Sequence, residues 1–506
     1  MVFQQLAHHL RRTFKSWRHN GFVGVVQFHL DLWALRLWRY GEIRRAIRLM
    51  RYSLRLNPQH SYAHGYLGCM LNAIGEVDEA KAALRRALVL GNPSPDFQIC
   101  LDAIKFNNPA HFDAITPRTD VKAAALILDH CFPAPLSSFR FGEYTAYLKE
   151  IPQSHTLSSV SDSIVQRNNA PGFMDYARHV ADGHHIGLER IRPFGQHGMA
   201  RAGIAYCVFL SNASQFFLET PSLGADKIAF TLYPGGGFDM HNPLSDHRLR
   251  RLCDDKRLAY IITTQNLTHR YLIDRGFCEP DRLLHIFGGI SPLVFANENV
   301  PAASLVRKES GHLNICFVAR SYTPQGIEKG YDVLVKVAQR LRHRTDITFH
   351  VVGGFTAESI DLEGGQNIRF YGIQQPDFFP DFYRSMDIIL SPNISLSRLL
   401  KTRQMIFDGF PTTCAVEAGT YGVAMFLADF ESLNRDLLGK PIFRPGIDFE
   451  LIDRNDRIIA ELLVQYAEDR EALHRLAMNG RAVLLREFSY EKQMRPRIDM
   501  LRKHMP

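Results

Sequence analysis

The chain has 506 residues, 46% of them hydrophobic, and 60 Lys and Arg against 52 Asp and Glu give a formal charge of +8. Length predicts about three domains, and the apolar content fills several cores, which excludes a disordered or fibrous chain. Eight cysteines stand singly with no C-x-x-C pair, so neither a zinc site nor a disulfide framework is expected and a reducing, cytoplasmic setting fits.

The first element is basic and amphipathic: Val2, Phe3, Leu6, Leu10, Phe14 and Trp17 recur at helical spacing around RRTFKSWR, residues 11–18. It reads either as a helix packed on its neighbours or as one lying on an anionic membrane surface, a peripheral contact. No apolar run approaches the roughly 18 residues of a spanning helix and no signal-peptide core is present, so neither export nor membrane spanning is expected.

Residues 27–60 and 61–94 repeat with a period of 34. Trp33, Leu37, Gly41, Glu42, Ala46, Met50, Ser53, Leu54 and Leu56 recur as Leu67, Leu71, Gly75, Glu76, Ala80, Leu84, Ala87, Leu88 and Leu90. Small residues at fixed positions let the two helices of a hairpin approach closely, and YLGCMLNAIGEVDEAKAALRRALVLGNP (66–93) resembles the tetratricopeptide repeat. A degenerate third unit is expected over 95–118, making 1–118 an all-α region that either caps the molecule or docks a protein partner or acceptor chain.

From residue 119 apolar runs alternate with helical segments, which predicts parallel strands joined by crossover helices. AAALILDH (123–130), IAYCVFL (204–210), KIAFTLY (227–233) and LAYIITT (258–264) belong to a first sheet. NICFVA (314–319), TFHVVGG (348–354), IRFYG (368–372), DIILSP (387–392) and VAMFLAD (423–429) belong to a second. The polar stretch 291–312 reads as an irregular connector between them. Two doubly wound α/β domains facing a cleft follow, 119–300 and 301–485, with a last segment 486–506. In such sheets a ligand sits beyond the carboxyl ends of the strands, so chemistry is expected in the loops after these runs.

After NICFVA come Arg320, an eight-residue loop, and Lys329-Gly330 opening a helix with Val333, Leu334, Val337 and Leu341 on one side. A planar guanidinium and a compact ammonium aimed toward a helix N-terminus suit a diphosphate, although exposed Arg and Lys also simply solvate surfaces. After DIILSP the chain reaches Asp408-Gly409-Phe410-Pro411, then Thr412-Thr413 at a helix start and Glu417 one turn in. A carboxylate there accepts two vicinal hydroxyls, as a ribose presents, or is an ordinary cap; Gly409 lets backbone pass close to a ligand, and Thr412 or Thr413 caps the helix or touches phosphate.

Together these residues resemble the retaining nucleotide-sugar glycosyltransferases of the GT-B fold, family-4-like, over about 119–490. The resemblance implies that Arg320 and Lys329 hold the diphosphate of a donor such as a UDP- or GDP-hexose, that Asp408 contacts the sugar, and that Glu417 binds the ribose. It also implies that backbone around Tyr371-Gly372 meets the base. HIFGGISP (285–292) looks like the family's interdomain crossover and REFSYEKQ (486–493) like its C-terminal return helix. The chain departs from the family's E-G-F-G-x-x-x-x-E pattern: Asp408 stands for Glu, Pro411 for Gly, and the carboxylates are nine positions apart instead of eight.

On the acceptor side, FPAPLSSFRFGEYTAYL (132–148) follows the first strand, and Arg140 and Glu143, one helical turn apart, form a surface pair or touch an acceptor. In YPGGGFDMHNP (233–243), Gly235, Gly236 and Gly237 bring backbone near the reacting sugar or serve a tight turn. His241 is a candidate because many relatives carry a histidine at the end of this strand, where this chain has Tyr233 and Pro234. No histidine spacing recommends a metal, so a metal-free site without cofactor is expected, the cationic residues neutralising the leaving diphosphate. The implied reaction is retaining transfer of a hexose to an acceptor hydroxyl, on a glycan or lipid-linked glycan in cell-surface polysaccharide synthesis. An inverting protein O-glycosyltransferase with repeat-bound acceptor, a glycosidase, and a repeat scaffold with a silent GT-B domain are the alternatives. A nucleic-acid partner is not expected, because basic residues are spread along the chain without a recognition motif.

Overall fold

The computed structural model describes residues 23–24, 26–27, 29–35, 37–38, 43–74, 76–91, 101, 119–135, 137–158, 173–193, 197–220, 223–301, 311–320, 326–356, 367–395, 397–398, 405 and 407–505. The basic segment 11–18, all of 95–118 except Leu101, and Gly41, Glu42 and Gly75 of the repeat lie outside the described residues.

Helices α1 (Ile43–Leu56), α2 (Ser61–Ala73) and α3 (Val77–Val89) form an all-helical layer. Ala46, Ile47 and Met50 of α1, Ala63, Leu67 and Met70 of α2, and Ala80, Leu84 and Ala87 of α3 close one apolar core. Ala46, Ala80 and Ala87, small residues of the 34-residue pattern, lie inside it, which is what lets the helices pack closely.

The first sheet is built from β1 (Thr119–Asp129), α4 (Ser138–Glu150), β2 (Ser154–Ser158), α5 (Phe173–His184), β3 (Ile191–Pro193), β4 (His197–Val208), β5 (Leu223–Leu232), α6 (Pro243–Cys253), β6 (Leu258–Thr263), α7 (Asn266–Asp274) and β7 (Leu283–His285). Its strands are all parallel in the order β3-β2-β1-β4-β5-β6-β7. Where an irregular connector was expected after it, Pro292–Asn297 forms a short helix, α8. Pro292 presets the first helical dihedral, and Val294 is fully buried in a core shared with the second sheet.

The second sheet follows with β8 (Leu313–Ala319), α9 (Tyr331–Arg340), β9 (Ile347–Gly353), β10 (Ile368–Gly372), α10 (Phe379–Arg384), β11 (Ile388–Ser391), α11 (Thr413–Thr420), β12 (Ala424–Leu427) and β13 (Glu450–Leu451). It too is parallel, ordered β10-β9-β8-β11-β12-β13. Strands such as β9, ITFHVVG, are buried from Ile347 to Val352, as expected of a parallel sheet covered on both faces. In chain rank both sheets run 3-2-1-4-5-6 from one edge, the first continuing to a seventh strand, so each has a switch point, between β1 and β4 and between β8 and β11.

Helices α12 (Asp456–Glu468), α13 (Arg470–Glu487), α14 (Tyr490–Gln493) and α15 (Arg495–Lys503) close the chain. Met494, Ile498 and Leu501 pack with Tyr144, Tyr147 and Ile127, so the last helix returns to the first sheet. The two α/β units also meet through an antiparallel bridge, in which Met240 N–H donates to Met405 O at 3.1 Å and Met405 N–H to Met240 O at 2.9 Å. Among the described residues no helix is long and apolar enough to cross a membrane.

Candidate active site

The β8/β11 switch point is where the second unit gathers its charges. Arg320 stands exposed immediately after β8. The chain then re-enters at Gly326 and reaches Gly330, whose φ of +83° and close approach to Pro392 demand glycine: a Cβ there would lie 2.6 Å from the Pro392 carbonyl oxygen. Ile394 N–H donates to Glu328 O at 3.0 Å, tying this turn to the chain leaving β11.

Lys329 is thereby pressed toward the Asp408 turn. Its Nζ donates to Asp408 Oδ1 at 2.7 Å and to Oδ2 at 2.6 Å. Asn393 Nδ2 donates to Asp408 Oδ2 at 2.6 Å, Ser391 Oγ donates to Asn393 Oδ1 at 2.7 Å, and Ser391 Oγ lies 3.2 Å from Thr412 Oγ1. The Asp408 side chain keeps 38% exposure while Lys329 keeps 13%. Ser391, Asn393, Ser395, Asp408, Thr412 and Glu431 line a crevice that opens to solvent.

The neighbouring candidates divide. Gly409 borders this pocket, but Phe410 is an anchor, 4% exposed and edge-on to Phe443 and Phe449. Its carbonyl accepts from Gln265 Nε2 at 3.3 Å, a link from the end of β6 in the other unit. Thr412 precedes α11 with no side-chain cap, and Thr413 is exposed as the first residue of that helix. Glu417 faces the other unit, with Ser138 Oγ donating to its Oε1 at 3.4 Å and the Tyr383 hydroxyl beside it. Burial pushes its carboxyl up to about 7, against the lowering pull of those two hydroxyls. Tyr371 and Gly372 end the edge strand β10, with the Tyr371 hydroxyl 2.8 Å from His350 Nδ1.

The first-unit candidates are placed differently from expectation. Arg140 does not pair with Glu143: its Nη1 donates to Asp129 Oδ2 at 2.9 Å, because from the first turn of α4 it reaches the end of β1. Glu143 is no surface residue, at 0% exposure, since its face of α4 lies on the sheet. It accepts from Tyr147 OH at 2.8 Å and from Tyr206 OH, and Arg497 Nε of the return helix lies 3.8 Å away. Burial raises its carboxyl, opposed by Arg497 and the two tyrosines. Gly235, Gly236 and Gly237 make a tight turn with φ of +81°, +56° and +85°, and a Cβ on Gly236 would sit 2.1 Å from Phe209. His241 is exposed, donates its backbone N–H to Tyr271 OH at 2.8 Å and sets its ring edge-on to Tyr271.

Four further residues shape the site. Asn393 stands just past a strand end, a position that flags it, and Ser138 opens α4. Gln265 carries the same flag. Arg454 carries none: it donates from Nη1 to Ile327 O and Pro392 O, both at 3.0 Å, and from Nη2 to Asp332 Oδ1 at 2.6 Å, clamping the turn that presents Lys329 from over a hundred residues away in sequence. Among the described residues no cluster of three or more His, Cys, Asp or Glu is placed to hold a metal ion.

No family model matches the chain, and no curated protein matches it by sequence. Among solved structures it is similar to a glycosyltransferase from Rickettsia africae, at 15% identity and a TM-score of 0.49 over 76% of this chain and 98% of that one. It is similar to Anabaena HepE in complex with UDP and glucose, at 12% identity and TM-score 0.46 over 75% of this chain and 99% of that one. A Thermobaculum terrenum O-GlcNAc transferase aligns over 98% of this chain and 97% of its own, at 14% identity and TM-score 0.41.

Proposed function

We propose that the chain is a GT-B glycosyltransferase that moves a hexose from a nucleoside diphosphate to an acceptor hydroxyl with retention at the anomeric carbon. The observation that carries this reading is the contact of the Lys329 ammonium with both oxygens of Asp408, at a switch-point crevice and beside a hydroxyl- and carboxylate-lined pocket. As the bond from the anomeric carbon to the phosphate oxygen breaks and the bond to the acceptor oxygen forms, negative charge grows on the departing diphosphate. Lys329, held in place by Asp408, and Arg320 after β8 would stabilise that charge without a metal. Asp408 and Asn393 would take the sugar hydroxyls, Glu417 the ribose, and backbone near Gly372 the base.

The test is a thermal-shift screen with UDP and GDP, followed by nucleotide release from a panel of nucleotide sugars. A rise in melting temperature with one nucleotide, and release that Lys329→Ala abolishes, supports the proposal. Absence of both across the panel overturns it. A second reading, an inverting transferase acting on a polypeptide, is favoured by the helical layer α1–α3 ahead of the two sheets. The anomeric configuration of the product separates the two. We further propose that the hairpins of α1–α3 are tetratricopeptide repeats, that the acceptor-side unit spans 119–300 and the donor-side unit 301–485, and that the acceptor is a glycan or lipid-linked glycan of the cell surface.

A further inference from the structure

Helix α1 is built with two opposed faces. Ala46, Ile47, Met50 and Ser53 turn inward and are buried. Arg44, Arg48, Arg51 and Arg55, spaced by four, three and four residues, line the outer face, with Arg45 beside them, and all five are exposed. The helix, IRRAIRLMRYSLRL, contains no acidic residue. At 1.5 Å per residue the stripe from Arg44 to Arg55 runs about 16 Å along the helix axis. Adjacent α3 adds exposed Arg85 and Arg86, so the basic surface is two helices wide. Its opposing charges are the exposed Glu76, Asp78 and Glu79, and Glu79 already takes Arg51 Nη2 at 2.6 Å. Interleaved with the arginines are exposed apolar groups: Tyr52 at 55%, with the Arg55 guanidinium over its ring, Leu56 at 42%, and Tyr62 at 47%.

We infer that this outer face of α1 docks on an anionic phospholipid bilayer. A basic patch carried on two helices matches the dense phosphate headgroups of an anionic bilayer surface. Arginine forks bind phosphate oxygens, and the aromatic and aliphatic groups between them sit at headgroup depth. The exposed Tyr52, Leu56 and Tyr62 beside the arginines favour a bilayer over an acidic polypeptide, which offers them no apolar layer to enter. The inference stands independently of the proposed chemistry, since it uses no residue of that site. The upstream segment 11–18 repeats the same basic-amphipathic pattern in sequence.

The experiment is co-sedimentation of the full chain with vesicles of equal parts phosphatidylcholine and phosphatidylglycerol, with pure phosphatidylcholine vesicles and poly-glutamate as the other arms. The wild type is expected to bind the anionic vesicles, and to lose that binding when salt reaches about 0.5 M. The triple variant Arg44→Ala/Arg48→Ala/Arg55→Ala should partition at least about tenfold more weakly. The triple Arg→Lys variant at the same positions should bind nearly as wild type, which guards against a folding artefact. A control removing Arg457, Arg475 and Arg495 on the C-terminal helices should bind unchanged. Undiminished binding by the alanine triple, equal binding to pure phosphatidylcholine, or binding to poly-glutamate without binding to anionic vesicles would each overturn the inference.

Discussion

The two α/β units share one strand order, yet their switch points treat a carboxylate in opposite ways. At the end of β1, Asp129 is 1% exposed and accepts from Cys131 N–H at 2.6 Å, Phe132 N–H at 2.8 Å, Arg140 at 2.9 Å and Tyr144 OH at 3.1 Å. Burial alone would raise its carboxyl, but Arg140 and the two backbone N–H groups outweigh it and hold the group below the usual range. At the β8/β11 point Asp408 shares Lys329 and Asn393 while its side chain stays 38% exposed. The same topology brings a carboxylate to a switch point twice, and the partners around it decide whether it is sealed or stays open to solvent. In the first unit Phe209, Phe132 and Tyr144 occupy the space around Asp129 and Arg140. In the second, Asp408 borders an open crevice lined by Ser391, Asn393 and Thr412 together with Phe407, Phe410 and Phe430.

The comparison breaks most visibly at the buried pair. Arg497→Ala removes the cation facing Glu143 at zero exposure and is expected to cost about 3–5 kcal/mol of unfolding free energy, read by denaturant titration. A loss below about 1 kcal/mol would mean that the first unit's charges are no more structural than the second's. In the open crevice the balance should invert: Lys329→Ala is expected to leave the melting temperature near wild type and slow sugar transfer by about 100- to 1000-fold. Wild-type rates with the correct donor would remove Lys329 from the chemistry.

A smaller effect should follow from loosening the Lys329 turn. Arg454→Ala deletes the guanidinium that grips Ile327 O, Pro392 O and Asp332, and transfer should fall by about tenfold to 100-fold through misplacement of Lys329. Arg454→Lys should recover little, because one ammonium cannot span three acceptors in that fork geometry. Wild-type kinetics in the alanine variant would show the turn to be rigid without the clamp.

The smallest signal concerns Glu417. Its carboxyl is pushed up by burial from 4.5 to about 7, so the fold favours the protonated form. That stability is fully present below about pH 4.5 and is lost as pH rises through about 7. Wild type should therefore lose stability relative to Glu417→Gln between those pH values, measured by thermal melts of both proteins side by side. A parallel pH dependence for the two would place Glu417 in a more solvated setting than its contacts with Ser138 and Tyr383 suggest.

Helix-hairpin periodicity, the long strands and the loops bearing Lys329 and Asp408 were legible because each is a local pattern: small residues at a 34-residue repeat, unbroken apolar runs, glycine at turns. Strands β2, β3, β7 and β13 were not, since SHTLS, IRP, LLH and EL carry no apolar run of their own. β2 is recruited by five registered partners along β1, from Ala125 with Ser154 to Asp129 with Ser158. The site shows the same divide. Spacing on α4 suggested an Arg140–Glu143 pair, but each side chain found a partner from a distant segment, Asp129 for one and Arg497 for the other.

By itself the sequence determined that the chain alternates helix and parallel strand, because burial on both faces of a sheet demands continuous apolar runs. It also determined which strand-end loops are rich in charge and glycine. Only the tertiary structure decided which charges meet, that Lys329 rests on Asp408 while Glu143 lies sealed beside Arg497, and that Arg454 clamps a turn far from it in sequence. The reason is that electrostatic pairing depends on through-space distance and local exposure, and neither is a function of separation along the chain.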